Sequence, residues 1–222
     1  MLAKDLMSEV VFPLRTSDNG MQALNLMDVY RVSHLPIVND KEFLGLISDN
    51  DVIDLNDPEA PIGNHELSLQ KAFVFHNQHL YDVIEVISRL KLSLVPVLDD
   101  EKHYLGLITL VDVMQRIADL FSLRQPGAIL AIELNNQDYT LSEIAQIVEG
   151  NDTKIMSLYI DASLENVEHL RLYLKLNRTD IGSVLQTFER YDYNVRAFYT
   201  DEEEVEELLD DRYESFMRFL NP

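Results

Sequence analysis

The stretch Gly45-Leu46-Ile47-Ser48-Asp49-Asn50-Asp51-Val52 decides how this chain reads, because it occurs twice. Its second copy is Gly106-Leu107-Ile108-Thr109-Leu110-Val111-Asp112-Val113, sixty-one positions on. Just upstream, His34-Leu35-Pro36-Ile37-Val38 returns as Leu94-Val95-Pro96-Val97-Leu98, sixty positions on. The extra residue falls between the matched blocks, in the acidic turns Asn39-Asp40-Lys41 and Asp99-Asp100-Glu101, where an insertion is cheapest. Two matched blocks in the same order define an internal repeat.

Working outward, each copy reads as strand, helix, strand, strand, helix. A short apolar strand opens it (Val11 to Leu14; Ala72 to Phe75). A helix follows, with Met21, Leu24 and Met27 apolar in the first copy and Leu80, Ile84 and Ile87 in the second. Its start falls at Asp18 or Asn19, and at Asn77 or Gln78; the Asp and Asn are good caps. Two strands come next, Leu35 to Val38 with Phe43 to Ile47, and Val95 to Leu98 with Tyr104 to Ile108, each pair closed by its acidic turn. A second helix opens at Ser48 and at Thr109. Copy one covers residues 1–60 and copy two 61–124.

A Ser or Thr at a strand-to-helix junction has two uses. Its hydroxyl caps the helix by satisfying an orphaned amide, or it donates to a phosphate where the helix N-terminus already favours an anion. Three residues on, Asp51 or Asp112 projects from the same end. A carboxylate is a poor partner for phosphate and a good bidentate acceptor for two vicinal ribose hydroxyls. Hydroxyl for phosphate and carboxylate for ribose make a self-consistent nucleotide grip. The same Ser/Thr-x-x-Asp pattern is also a capping box that needs no ligand.

The duplicated Gly-hydrophobic-x-Ser/Thr-x-x-Asp signature, with Pro36 and Pro96 in the strands before it, resembles cystathionine-beta-synthase (CBS) domains, and the resemblance covers roughly residues 1–122. A tandem of such domains, a Bateman module, implies adenine-nucleotide binding in clefts between the copies. The ligand residues it implies are Ser48, Asp51, Thr109 and Asp112. It also places the adenine near the end of each first strand and the start of each second, at Leu14-Arg15-Thr16 with Ser33-His34-Leu35, and at Val74-Phe75-His76 with Ser93-Leu94-Val95. Thr16, His34, His76 and Leu94 join the candidate set on that ground. Arg15, Arg31 or His34 could meet phosphate in the first site, and His76, Arg89 or Lys91 in the second. Asp49 beside Ser48 disfavours a tri- or tetraphosphate there relative to AMP or a neutral adenosyl ligand.

The second half differs. Arg124-Gln125-Pro126-Gly127 ends the last helix of copy two. Beyond it, Ala128 to Glu133 reads as a strand, and Thr140-Leu141-Ser142-Glu143 as a capping box opening a helix through Val148. Ile155 to Ile160 and Leu170 to Leu176 read as strands. Ile181, Val184, Leu185 and Phe188 mark a helix, and Val195 to Tyr199 a closing strand. The order β-α-β-β-α-β predicts a ferredoxin-like sheet over residues 126–200 with both helices on one face. This half resembles an ACT domain, a regulatory fold that often senses amino acids, although the loop Asn135-Asn136-Gln137-Asp138-Tyr139 lacks the Gly usual at such sites. A dimerisation domain pairing sheet edges is the plainer reading. The whole arrangement, an α+β chain of two CBS repeats and an ACT-like domain, resembles the bacterial acetoin-utilisation accessory proteins. The tail, residues 201–222, reads as an acidic amphipathic helix striped by Val205, Leu208, Leu209, Phe216 and Leu220.

Composition narrows the function classes. Eighteen Lys and Arg against 39 Asp and Glu leave a net charge of −21. That argues against phosphate-neutralising nucleic-acid binding and against anionic membrane surfaces. With no cysteine in the chain, disulfides, thiolate catalysis and Cys-ligated zinc are excluded. The first residues carry no run suited to a signal peptide and no 18-residue apolar stretch occurs, so the cytoplasm is the expectation. His76-x-x-His79 is the one close His pair, and Asp49-Asn50-Asp51 lacks the Gly and distal Glu of an EF-hand. No metal site, required cofactor or catalytic constellation is expected. The expected function is a non-catalytic regulatory homodimer that binds AMP, ADP, ATP or S-adenosylmethionine and signals to a protein partner. A ligand-free adaptor is the alternative, and an unrecognised enzyme the third.

Overall fold

A computed structural model of the chain describes residues 1–8, 10–65, 69–135, 140–161 and 169–199. The expected tail helix, and all but Asn135 of the loop Asn135 to Tyr139, lie outside the described residues. The chain divides into two compact units, Met1–Arg116 and Ile117–Pro222.

In the first unit the two repeats are built alike. Copy one comprises α1 (Gly20–Tyr30), the antiparallel hairpin β1 (His34–Asn39) and β2 (Glu42–Ser48), and the short α2 (Asp49–Ile53). Copy two comprises β3 (Val74–Phe75), α3 (Leu80–Leu90), the hairpin β4 (Leu94–Leu98) and β5 (Tyr104–Thr109), and α4 (Leu110–Leu120), in which the boundary between the units falls. Both hairpins carry a register shift at the same place, between Ile37 and Val38 and between Val97 and Leu98.

The opening strands are shorter than the sequence suggests. In copy two only Val74 and Phe75 pair, parallel to β4. In copy one the strand expected over Val11 to Leu14 contracts to a single bridge from Leu14 to Ile37, closed by the Leu14 amide donating to the Pro36 carbonyl at 2.8 Å and the Val38 amide donating to the Leu14 carbonyl at 2.7 Å. Pro13, just before Leu14, has no N–H to give a ladder. The caps differ as well. Asn19 caps α1, accepting from the amide of Gln22 at 2.9 Å. The cap of α3 is His79, whose Nδ1 accepts from the amide of Tyr81, while Gln78 turns back to accept from the amide of Phe75. The buried faces are Ala23 and Met27 on α1, with Met21 exposed, and Leu80, Val83 and Ile87 on α3, with Ile84 half-buried.

The lead-in of each copy docks on the other. Leu2 bridges His79 and Ser8 bridges Leu107, so the segment before copy one lies on copy two. Asn19 bridges Pro61 and Leu46 bridges Gln70, so the segment before copy two lies on copy one. One core then serves both, with Leu14, Leu35, Ile37, Leu46 and Ile47 packed together with Leu92, Leu94 and Leu107. Burying this apolar surface is what drives the two repeats to fold as one body.

The second unit follows its expected order, β6 (Ile129–Asn135), α5 (Leu141–Glu149), β7 (Ile155–Asp161), β8 (His169–Leu176), α6 (Gly182–Arg190) and β9 (Asn194–Tyr199). The four strands lie in the order β7-β8-β6-β9, every neighbouring pair antiparallel. Alternate residues of the central strands (Leu130, Ile132, Leu134; Leu170, Leu172, Leu174, Leu176) pack against Ile144, Ile147 and Val148 of α5 and Val184 and Phe188 of α6. Both helices therefore cover one face. On the strand residues of the other face Tyr159 stacks on Tyr173, with the edge of Phe121 against Tyr159. Thr140 stands at the N-cap of α5 but its side chain makes no capping bond. The expected capping box does not close there, and Glu143 instead accepts from the Tyr193 hydroxyl at 2.7 Å. The fold is α+β, with two CBS-like repeats followed by a four-stranded antiparallel sheet of the ACT-like kind.

Candidate functional site: the two Ser/Thr-x-x-Asp turns

Ser48 ends β2 and caps α2, and Thr109 ends β5 at the start of α4. Both turns form the same closed box. Asp51 Oδ2 accepts from the amide of Ser48 at 2.8 Å and from its hydroxyl at 2.7 Å, while the Ser48 hydroxyl accepts from the amide of Asp51 at 3.1 Å. In the second turn Asp112 Oδ2 accepts from the Thr109 amide at 2.9 Å and hydroxyl at 2.5 Å, and Thr109 Oγ1 accepts from the amide of Asp112 at 3.1 Å. The carboxylate can only accept, so the single hydroxyl proton of Ser48 and of Thr109 is spent inside the box. Oδ1 of each Asp carries no hydrogen bond among the described residues.

A cleft of about 550 Å³ opens at the first turn. Ser48, Asp49 and Asp51 line it from copy one, with Ser33 and His34 at the start of β1. Gln70, from the segment leading into copy two, and Lys91, from the end of α3, close it. Gln70 is fixed there by two backbone bonds with Leu46, at 2.9 and 3.3 Å. Lys91 holds a left-handed backbone (φ 54°) as the C-cap of α3, and its ammonium pairs with no carboxylate among the described residues. Arg31 is its counterpart sixty positions earlier, with the same conformation (φ 57°) at the end of α1.

His34 joins this cleft to the contact between repeats. Its Nδ1 lies 3.1 Å from the hydroxyls of Ser33 and Ser93 and accepts from the amide of Ser93 at 3.3 Å. Burial pulls its pKa below the ordinary imidazole value, against the opposing pull of Asp49 and Asp51. A backbone amide only donates, so Nδ1 is the unprotonated nitrogen and the proton sits on Nε2.

The candidate residues thus separate into three groups. Ser48, Asp51 and His34 share one cleft, and Thr109 with Asp112 repeat its turn. Thr16 and His76 stand at the far ends of the hairpins: Thr16 is bonded to Asn39, and the amide of His76 donates to the Leu98 carbonyl. Ser48 pairs with His34 and Thr109 with Leu94, at the opposite ends of those strands. Leu94 is fully buried. Sequence reasoning missed Gln70 altogether and gave Lys91 to the second site, whereas it lines the first. His76 Nδ1 is buried without a hydrogen bond, 4.0 Å from Asp100, and His79 is spent as a cap. Asp99, Glu101 and His103 also converge, at the β4–β5 turn, where Asp99 accepts from the amides of Glu101 and His103.

Comparison with known proteins agrees with the repeat. Residues 3–56 and 70–119 match the CBS domain family, so the chain carries a tandem pair of CBS domains. Curated relatives include inosine-5'-monophosphate dehydrogenase of Methanocaldococcus jannaschii, 26% identical over 117 residues, or 51% of this chain and 23% of that one. The Bacillus subtilis enzyme is 25% identical over 149 residues, 63% of this chain and 30% of that one. The chain therefore spans less than a third of the length of either. Similar solved structures include a CBS domain pair/ACT domain protein from Thermotoga maritima (20% identity, 54% of this chain and 98% of that one, TM-score 0.48). Another is CBSX2 in complex with AMP (21% identity, 53% and 96%, TM-score 0.46). Among the described residues no helix is long and apolar enough to cross a membrane.

Proposed function

We propose that the CBS pair is a regulatory module that takes an adenosine-containing ligand in the cleft at Ser48 and Asp51 and in its counterpart at Thr109 and Asp112. The observation that carries this reading is the half-used carboxylate. Each Asp spends Oδ2 on its own turn and keeps Oδ1 for a ribose hydroxyl, so cap and ligand grip coexist. Lys91 supplies the cation for a phosphate from the other repeat. The internal repeat gives the second cleft Ser8 in place of Gln70, Arg31 in place of Lys91 and Leu110 in place of Asp49.

Charge selects the ligand. In the first cleft Asp49 and Asp51 face one Lys, which suits AMP or an adenosyl ligand such as S-adenosylmethionine better than ADP or ATP. Leu110 removes one carboxylate from the second cleft, which should tolerate phosphate better. The ligand contacts both repeats, so its binding alters their packing. The reading includes a homodimer, a cytoplasmic location and an ACT-like domain that relays the change to a protein partner, with no turnover. The likeness to acetoin-utilisation accessory proteins rests on domain order and length alone.

The closed boxes favour one second reading, a ligand-free adaptor, because neither hydroxyl has a proton left for a phosphate. A thermal-shift panel of AMP, ADP, ATP, S-adenosylmethionine and NAD separates the two. A saturable shift lost in Asp51→Ala or Asp112→Ala supports the sensor. No shift at millimolar ligand supports the adaptor.

A further inference from the structure

We infer that His34 is a positioning residue of the first cleft, a latch that holds the wall from the second repeat while Nδ1 is unprotonated and releases it in acid. The two walls of the cleft meet at this imidazole. Copy one supplies Ser33, His34, Ser48, Asp49 and Asp51, and the second repeat with its lead-in supplies Gln70 and Lys91. Lys91 opens the three-residue link between α3 and β4, and Ser93 closes it.

His34 Nδ1 stands 3.1 Å from the hydroxyls of Ser33 and Ser93 and accepts from the Ser93 amide at 3.3 Å. A hydroxyl can turn and accept from a protonated ring, but a backbone amide can only donate. A proton on Nδ1 therefore sets two N–H groups against each other and breaks the bond to the Ser93 amide. That bond lies at the centre of a longer chain. The Ser33 carbonyl accepts from the Asp49 amide at 3.0 Å, the Ser33 amide donates to the Ser93 hydroxyl at 3.0 Å, and the Ser93 carbonyl accepts from the Leu110 amide at 2.9 Å. Ser33 and Ser93 thus join the starts of α2 and α4, and the imidazole decides whether the second of them is held.

The charges around the ring give the proton a destination. Asp49 and Asp51 face it from the start of α2, and Lys91 from the link; Ser48, its partner on β2, is uncharged. Burial favours the neutral ring, and the two carboxylates favour the charged one. A charged ring is drawn toward Asp49 and Asp51 and away from Lys91. It then competes for the Asp51 carboxylate that the nucleotide reading assigns to ribose. The equivalent position in copy two is the buried Leu94, so the second cleft has no matching group. The effect on a ligand rests on that nucleotide reading; the latch itself does not.

The test is amide-resolved NMR on the ligand-free full chain between about pH 7.5 and about pH 5.5, in wild type and in His34→Asn, whose amide oxygen accepts from Ser93 without titrating. In wild type the Ser93 and Lys91 amides should shift together with the His34 imidazole, and exchange protection at Ser93 should fall about tenfold or more. In His34→Asn neither should change. Adenosine has no group that titrates in this range. Followed at the Gln70 and Lys91 amides, it should bind wild type about threefold or more weakly in acid, and His34→Asn equally at both pH values. The latch is overturned if the Ser93 amide does not follow His34, or if it titrates equally in His34→Asn. Adenosine affinity that ignores pH while these amides follow His34 overturns control of the ligand. Adenosine that moves neither amide at either pH counts against the nucleotide reading, and the Ser93 amide still decides the latch.

Discussion

The amide of Ser33 donates to the hydroxyl oxygen of Ser93 at 3.0 Å, tying together two residues that hold the same place in the two repeats. The return bond breaks the symmetry: the amide of Ser93 donates to His34 Nδ1, and the position equivalent to His34 is the buried Leu94. The contact between repeats thus contains one imidazole, neutral in the folded state and lining the ligand cleft.

Stability should depend on pH through this group. Burial lowers the folded pKa of His34 below the ordinary 6.5, so the unfolded chain takes up its proton first as pH falls. Binding more protons when unfolded means stability is lost as pH drops below about 6.5 and the loss levels off below the folded pKa. Urea unfolding at about pH 7.5 and about pH 5.5 should show a larger acid loss in wild type than in His34→Asn, whose amide oxygen replaces Nδ1 without titrating. Equal losses in the two proteins would contradict the assignment.

Ser93→Ala removes the acceptor for the Ser33 amide and one hydroxyl at His34. The orphaned, part-buried amide should cost about 1–2 kcal/mol in urea unfolding. Ser93→Thr should retain most of the wild-type stability, and an unchanged Ser93→Ala protein would show that the contact between repeats contributes nothing.

Gly127 adopts φ +150°, and a Cβ there would stand 1.9 Å from the Leu176 carbonyl oxygen, the close approach through which the chain enters β6 beside β8. Gly127→Ala should destabilise the second unit by about 3 kcal/mol through strain and backbone displacement. Calorimetry should show one transition lowered; an unaffected thermogram would place β6 elsewhere.

Tyr193 has its pKa pushed up to about 12, first by desolvation and then by its bond to Glu143 and that carboxylate's charge. The folded state holds the proton longer, so this group's contribution is present below pH 10 and is lost as pH rises through 12. Ultraviolet titration of Glu143→Gln should bring one tyrosine ionisation to lower pH. No change would show that Glu143 does not hold the Tyr193 proton.

Much of this architecture was legible because the duplicated blocks fix the register of both hairpins, and alternation in Leu170, Leu172, Leu174 and Leu176 fixes the face of β8. What stayed hidden depends on contacts between segments far apart in sequence. Nothing local marks Gln70 as a wall of the first cleft, since it arrives there by pairing with Leu46 from the other repeat. Lys91 likewise reaches the first cleft from the second copy; the one local signal is its likeness in position to Arg31 after matching helices. His79 displaced the better capping residues because the bridge from Leu2 to His79 fixes where α3 begins. Nor does anything local mark Glu143 as the partner of Tyr193, fifty residues on, where its spacing from Thr140 suggested a box.

On the proposed reading Asp51 and Asp112 hold ribose through the oxygen their own turns leave unused. Isothermal calorimetry with AMP on wild type, Asp51→Ala, Asp112→Ala and the double variant is the decisive measurement. Each operative Asp should contribute a charge-assisted bond of about 1.5–3 kcal/mol, so its removal weakens AMP about ten- to a hundredfold, and the double variant should not bind. Ser48→Ala and Thr109→Ala should cost less, because their hydroxyls are committed to the boxes. AMP binding undiminished in the Asp51→Ala/Asp112→Ala protein would contradict the claim.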